Sequence, residues 1–413
     1  MEISKRAALS KSSPIRKLIP YAEEAQKRGI KVLFMNIGQP DIETPPEALD
    51  VVLNFNEKIL AYSPSQGFMS LRNKISEYLQ GYGISLSSEH ISITTGGSEA
   101  ILFAFAAVCD PGDNIIVIEP FYANYHVFAK LLGIEIRTVP TSIFDGFHLR
   151  PNGKSVEDFR SRIDDRTKAI LICNPSNPSG VVYTREEINM ICELAIEHDL
   201  FIISDEVYRE FVFDGLKFTS PAMIEEVVDR VIITDSISKR FSSCGARIGF
   251  IASKNTDVMN AVYRFSMARL SPPTIGQKLA EAAFGIGDDY IERTVEEYKK
   301  RRDVLCTHLE GERGIIFSKP EGTFYMIVKL PGIDSEGFAK FLLKDFSIDD
   351  ETLLIAPASG FYATEGLGKD EIRIAFVLDK ERTKRAARIL IEGYRSYLKK
   401  AGISRSYTVK VDL

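Results

Sequence analysis

The strongest constraint on this chain is a series of short apolar runs, rich in β-branched residues, that recur between helical stretches. Residues 114–119 (NIIVIE), 169–173 (AILIC), 200–204 (LFIIS) and 231–234 (VIIT) read as strands buried on both faces, and 91–95 (ISITT) as a short alternating strand. Doubly buried strands belong to parallel sheets with helices on each side. The expected fold class is therefore α/β, with a mostly parallel sheet flanked by helices. Sheets of that kind bind ligands beyond the carboxyl ends of their strands.

Those ends carry the polar groups. Gly96-Gly97-Ser98-Glu99 follows ISITT and opens the apolar helix AILFAFAAV. A glycine pair at a helix start leaves backbone N–H groups free for an anion and lets it come close. The pattern matches neither the Walker A motif nor G-x-G-x-x-G. The aromatic residues of PFYANY, Tyr122 among them, follow NIIVIE, where a ring could stack on a flat ligand or pack the next helix. Asn177 lies in NPSNPSG, whose two Asn-Pro steps enforce an extended, irregular loop. Thr184 and Glu187 form a capping box for the helix that follows.

Asp205 ends LFIIS and is followed by Tyr208. A carboxylate there is costly without a cationic partner, either a protonated ring nitrogen or a structural arginine. Lys239 follows VIIT and the turn DSIS, which supplies Ser236 and Ser238, and Arg247 comes eight residues later. Hydroxyls and an arginine can hold a phosphate while the amine attacks a carbonyl. An ordinary solvated lysine is the other reading.

Nearer the start, residues 15–28 suggest a helix ending at Gly29, and 32–36 a strand. Gly38 sits in a turn before Pro40 that exposes the backbone, and Pro45-Pro46 opens a helix. Tyr62 lies in a loop before a helix that begins near Ser70. Beyond residue 290 the pattern changes to a charged helix (292–302), strands at 322–328, 353–356 and 371–377, and an amphipathic helix at 380–398. Arg373 interrupts the apolar strand EIRIAFV, facing either a ligand cleft or solvent at a sheet edge.

A chain of 413 residues, 45% hydrophobic, is long enough for two or three domains. Its net charge of −5 gives no basic field for nucleic acid. Five separated cysteines without a CxxC pair read as reduced thiols in a cytoplasmic protein, and five scattered histidines make a metal site unexpected. The start lacks the apolar core of a secretory signal, and the longest apolar run, 101–109, is too short to span a bilayer.

The motifs NIGQPD, YSPSQGFMSLR, TTGGSEA, DPGDNIIVIEPFYANY, NPSNPSG, SDEVYREF, SISKRFSSCGARIGF, GTFY and IRIAF occur in this order. Over about residues 30–395 the chain resembles a class I/II aminotransferase of the aspartate aminotransferase-like group. The resemblance implies the fold type I architecture of pyridoxal 5′-phosphate enzymes, with a large domain at 46–289 and a small α+β domain made of 1–45 and 290–413. Lys239 would bind the cofactor covalently and move the proton, with Asp205 on the pyridine nitrogen. Asn177 and Tyr208 would hold the ring's phenolate oxygen, and Tyr122 would stack on the ring. Gly97, Ser98, Glu99, Ser236, Ser238 and Arg247 would surround the phosphate. Tyr62 would reach it from a neighbouring subunit of a homodimer. Arg373 would clamp the substrate α-carboxylate, helped by Gly38 and Asn177.

The implied reaction moves an amino group from an amino acid to a 2-oxo acid by a ping-pong route, aspartate and 2-oxoglutarate being a candidate pair. The chain lacks Trp, so Tyr122 stands at a stacking position that is often Trp. Arg264 and Arg269 in YRFSMARLSPP are candidates for binding a second carboxylate. The alternative is a β-eliminating C–S lyase, which would use the same lysine, aspartate and arginine. A ligand-sensing DNA-binding regulator is disfavoured by the absence of a basic patch.

Overall fold

The computed structural model describes residues 1–4, 7, 13 and 15–403. Its centre is a seven-stranded sheet in the order Ile91–Thr94, Gly249–Ala252, Val231–Ser236, Phe201–Asp205, Thr167–Cys173, Asn114–Glu119, Glu135–Pro140. The last five run parallel, and Gly249–Ala252 is antiparallel to both of its neighbours. An antiparallel strand enters the sheet where its neighbours leave it. Gly249 therefore pairs with Thr94 and Ser236, and Arg247 meets the carboxyl edge beside them.

Side chains alternate across this sheet as a period of two requires. Ile93, Ile116, Ile170, Ile202 and Ile233 face one apolar core, while Ile115, Val117, Leu171, Ile203 and Ile232 face another. The edge strand Glu135–Pro140 was not foreseen: EIRTVP is partly exposed and has no apolar run.

Two smaller sheets share a third core with the helices Ile19–Lys27 and Lys380–Lys400. Lys31–Phe34 pairs in parallel with Glu351–Leu354. Ile316–Phe317, Tyr325–Lys329, Glu371–Ala375 and Ala356–Pro357 form an antiparallel sheet. The strand expected at 353–356 is thus two strands in two sheets. The one expected at 322–328 begins only at Tyr325, because Thr323 turns the chain (φ 61°) and the N–H groups of Glu321 and Gly322 donate to Gly180 O. Arg373 lies between two paired strands, 1% exposed, so the solvent-edge reading does not hold. Among the described residues no helix is long and apolar enough to cross a membrane, and no group of three or more His, Cys, Asp or Glu could hold a metal ion.

The capping box at Thr184 forms as expected, and Glu187 has a further task. His148 Nδ1 contacts its carboxylate at 3.0 Å, and His148 Nε2 reaches Glu321, in the turn before Tyr325, at 3.1 Å. The hydrogen bonds to Glu187 and then Glu321 push the His148 pKa up to about 10. A histidine whose folded pKa is raised stabilises fully below its unfolded value near 6.5, and the gain is lost as pH rises through about 10. We expect His148→Asn to lower the melting temperature at pH 8 and to make no difference above pH about 10.5. Thermal unfolding followed by circular dichroism at both pH values checks this.

Candidate active site

A cavity of about 690 Å³ opens at the carboxyl edge of the large sheet. Of the expected residues, Gly38, Gly97, Ser98, Tyr122, Asn177, Asp205, Tyr208, Ser236, Ser238, Lys239, Arg247 and Arg373 all line it. Glu99 does not. Its carboxylate accepts from Thr95 N–H (2.7 Å) and pairs with Arg269 (3.0 Å), closing the first turn of the helix Gly97–Val108. Arg269 also donates to Ser65 O and Ile93 O, and Arg264 is exposed, so neither lines the cavity. Tyr62 is 79% exposed outside it.

Lys239 stands on a one-turn helix, Ile237–Arg240, rather than in a loop. Ser236 caps this turn, accepting from Ser238 N–H at 3.4 Å. The Lys239 amine donates to Gly38 O at 2.9 Å and lies 3.7 Å from Cys244 Sγ. One wall is the start of the helix at Gly97. Gly96 takes φ 78°, and a Cβ there would fall 2.3 Å from Arg247 Nη2, so glycine lets the guanidinium lie against the helix start. Free N–H groups, two serines and an arginine together suit a phosphate.

Asp205 is fully buried, and no cation pairs with it among the described residues. It accepts from Tyr125 Oη at 2.5 Å and Val207 N–H at 3.4 Å. Burial, opposed by the Tyr125 hydrogen bond, pushes its pKa up to about 7. Such a carboxylate lacks one positive partner, which a protonated ring nitrogen supplies. Arg373 has the opposite deficit. Nη1 donates to Asn177 Oδ1 (3.0 Å) and Nη2 to Asn36 O (2.5 Å), Nε has no partner among the described residues, and burial lowers its pKa. A substrate carboxylate would complete it. The residues present thus fit a flat, phosphorylated, cationic ring and an anionic substrate.

Behind the cavity lies a sealed ionic network. Arg209 bridges Glu206 (2.6 Å) and Asp235 (3.1 Å), and Arg240 bridges Asp235 (2.8 Å) and Glu210 (2.8 Å). Tyr78 hydrogen-bonds Glu210 and accepts from Arg209. Glu206 follows Asp205, Arg209 follows Tyr208, Asp235 precedes Ser236 and Arg240 follows Lys239, so four members of the network are chain neighbours of cavity residues.

Tyr125, Tyr325, Asn36 and Arg16 were missed. Tyr125 sits next to the helix start at Asn124, three residues after Tyr122, a spacing that could have been read as one face. Tyr325 lay in a recognised motif without a role. Asn36 likewise opened the recognised motif NIGQPD without a role, and nothing in the sequence singled out Arg16.

The model of the family "Aminotransferase class I and II" matches residues 30–390. The putative aminotransferase YugH of Bacillus subtilis (strain 168) is 31% identical over 383 residues, 91% of this chain and 94% of that one. A bifunctional aspartate aminotransferase and glutamate/aspartate-prephenate aminotransferase of Petunia hybrida is 29% identical, over 87% of this chain and 77% of its own. Among solved structures, the alanine aminotransferase from Pyrococcus furiosus superposes with a TM-score of 0.86 at 29% identity, covering 96% of this chain and all of that one. The aspartate aminotransferase from Thermotoga maritima gives 0.85 at 28% identity, over 94% and 99% of the two chains. With both the sequence match and the fold spanning nearly its whole length, the chain belongs to the class I and II aminotransferases, enzymes that depend on pyridoxal 5′-phosphate and act on amino acids and 2-oxo acids.

Proposed function

We propose that the cavity holds the cofactor through Lys239, Asp205 and the phosphate-facing wall, and that the substrate's α-carboxylate sits on Arg373. One observation carries this reading: a buried carboxylate without a cation and a buried guanidinium without an anion face the same space as the Lys239 amine. Bound pyridoxal 5′-phosphate supplies an electron sink for the substrate α-carbon. Asp205 would keep the ring nitrogen protonated, Tyr122 would cover the ring, and Asn177 and Tyr208 would hold its oxygen. Lys239 Nζ takes the α-proton and returns it. One carboxylate clamp serves both substrates, so they take turns: the amino acid leaves as a 2-oxo acid before the second oxo acid enters.

We assign a second carboxylate to the substrates, as in aspartate and 2-oxoglutarate. Arg16 lines the cavity mouth with its side chain exposed, and among the described residues no carboxylate pairs with it. Several relatives are named aspartate aminotransferases, in keeping with this. Residues 53–62 expose Leu53 (80%), Ile59 (77%), Leu60 (59%) and Tyr62, an apolar stretch suited to a second copy of the chain. We assign a homodimer in which Tyr62 reaches the neighbouring phosphate site. The five thiols are all free, in keeping with a reducing cytoplasm.

Lys239→Ala is expected to lose the yellow absorbance of the bound cofactor and to slow transamination by roughly 10³-fold or more. Wild-type-like rates would remove Lys239 from its role, and pyruvate with ammonia formed without an acceptor would favour elimination over transfer. Arg16→Gln should raise KM about tenfold for dicarboxylic amino acids and leave monocarboxylic ones unchanged, as steady-state kinetics on both classes would reveal. Leu53→Asp with Ile59→Asp should yield monomers with weakened cofactor retention, read by light scattering and by absorbance after gel filtration. A dimer that persists would move the interface elsewhere.

A further inference from the structure

Tyr325 stands where the two halves of the cavity meet. It is 3% exposed and lines the cavity. Its hydroxyl accepts a hydrogen bond from Tyr208 Oη at 3.0 Å. The Arg373 guanidinium lies over its ring, 4.5 Å from the centroid. Its hydroxyl packs so closely on Gly38 that a Cβ there would fall 1.7 Å from the oxygen, and Gly38 O is the acceptor for Lys239 Nζ. The backbone has little freedom: Tyr325 pairs with Ala375, two residues from Arg373, and its N–H donates to Thr323 Oγ1 at 3.1 Å. Gly180 abuts its carbonyl, where a Cβ would come within 2.7 Å.

A hydroxyl donates once and can also accept. While Tyr208 donates to Tyr325, the Tyr208 oxygen can only accept from the cavity. If the pair reverses, with Tyr325 donating, the Tyr208 proton turns toward the cavity. Tyr208 is buried and edge-on to Phe324 and Phe211, so its hydroxyl moves by rotating its hydrogen rather than its ring. Hydrogen bonds in such a buried pair polarise one another.

We propose that Tyr325 is a positioning residue that acts through Tyr208, its hydroxyl deciding whether Tyr208 offers a donor or an acceptor to the cofactor's ring oxygen. The inference rests on the reading above that Tyr208 faces that ring. Phe at position 325 keeps the ring face beneath Arg373 and removes only the hydroxyl.

The test is the absorbance of the holoenzyme titrated with pH, in wild type, Tyr325→Phe, Tyr208→Phe and the double variant, with folding checked by circular dichroism. Tyr325→Phe should shift the midpoint of the cofactor band by roughly half to one pH unit. The KM for the amino acid should stay within about twofold, because the cation–π face remains. In the Tyr208→Phe background, Tyr325→Phe should add no further shift. An unshifted midpoint overturns the inference, and so does an equal shift in both backgrounds, which would show that Tyr325 acts without Tyr208. A variant that fails to fold gives Tyr325 a structural role and overturns it as well. If wild type itself takes up no cofactor, the reading of the cavity fails rather than this inference alone.

Discussion

The active cavity depends on ions that never touch it. Arg209 and Arg240 lie buried among Glu206, Glu210 and Asp235, and each carboxylate sits one or two bonds of the network from a turn that carries a cavity residue. Successive residues point to opposite sides of a strand end. Glu206 therefore anchors behind the sheet while Asp205 faces forward, and on the helical turn Ile237–Arg240, where successive side chains diverge by about 100°, Arg240 joins the network while Lys239 lines the cavity. Removing one member of such a buried pair leaves an uncompensated charge and costs about 3–5 kcal/mol. Two guanidiniums against three carboxylates also leave negative potential behind the cavity, and Asp235 and Glu206 are among the groups that raise the Asp205 pKa. A cationic ring nitrogen is favoured by that field.

The two sides of the sheet thus follow opposite rules. Behind it, nearly every charge has a partner inside the protein. In front, Asp205 and Arg373 are buried with their strongest partners missing, and only neutral groups, Tyr125 for one and Asn177 with Asn36 O for the other, hold them in place. Charges kept unmatched in a protein interior destabilise the empty form. They persist where a ligand completes them. The neutral hydrogen bonds fix direction without cancelling charge.

Most of the parallel sheet was legible in the sequence because each inner strand is an apolar run, and parallel topology then gathered the polar ends on one edge. The strand Glu135–Pro140 was illegible because an edge strand need not be apolar. The break at Ile355 was hidden for a different reason: an apolar run does not say which sheet each half joins. Residues that act through a motif, such as Lys239 and Asp205, could be read from local sequence. Tyr325 and Asn36 stood in quoted motifs without a role, because their significance comes from distant partners: Tyr325 meets Tyr208 across 117 positions and Arg373 meets Asn36 across 337. Glu99 was placed at the phosphate by resemblance, and its engagement with Arg269 and Thr95 belongs to this fold's packing.

The pairing of Lys31–Phe34 with Glu351–Leu354 has a temporal consequence. The hydrogen-bonding edge of Lys31–Phe34 gains this strand partner only after some 320 further residues have been made. At ~5–20 residues per second that interval is tens of seconds. Throughout it Val32, Leu33 and Met35, all buried in the finished protein, belong to an unfinished core. The carbonyl of Asn36, next to that strand, waits longer still, some 337 residues, for the Arg373 guanidinium that donates to it. The contact between Arg373 and Asn36 O therefore forms long after the strand that ends in Asp205 and the helical turn that carries Lys239 have emerged.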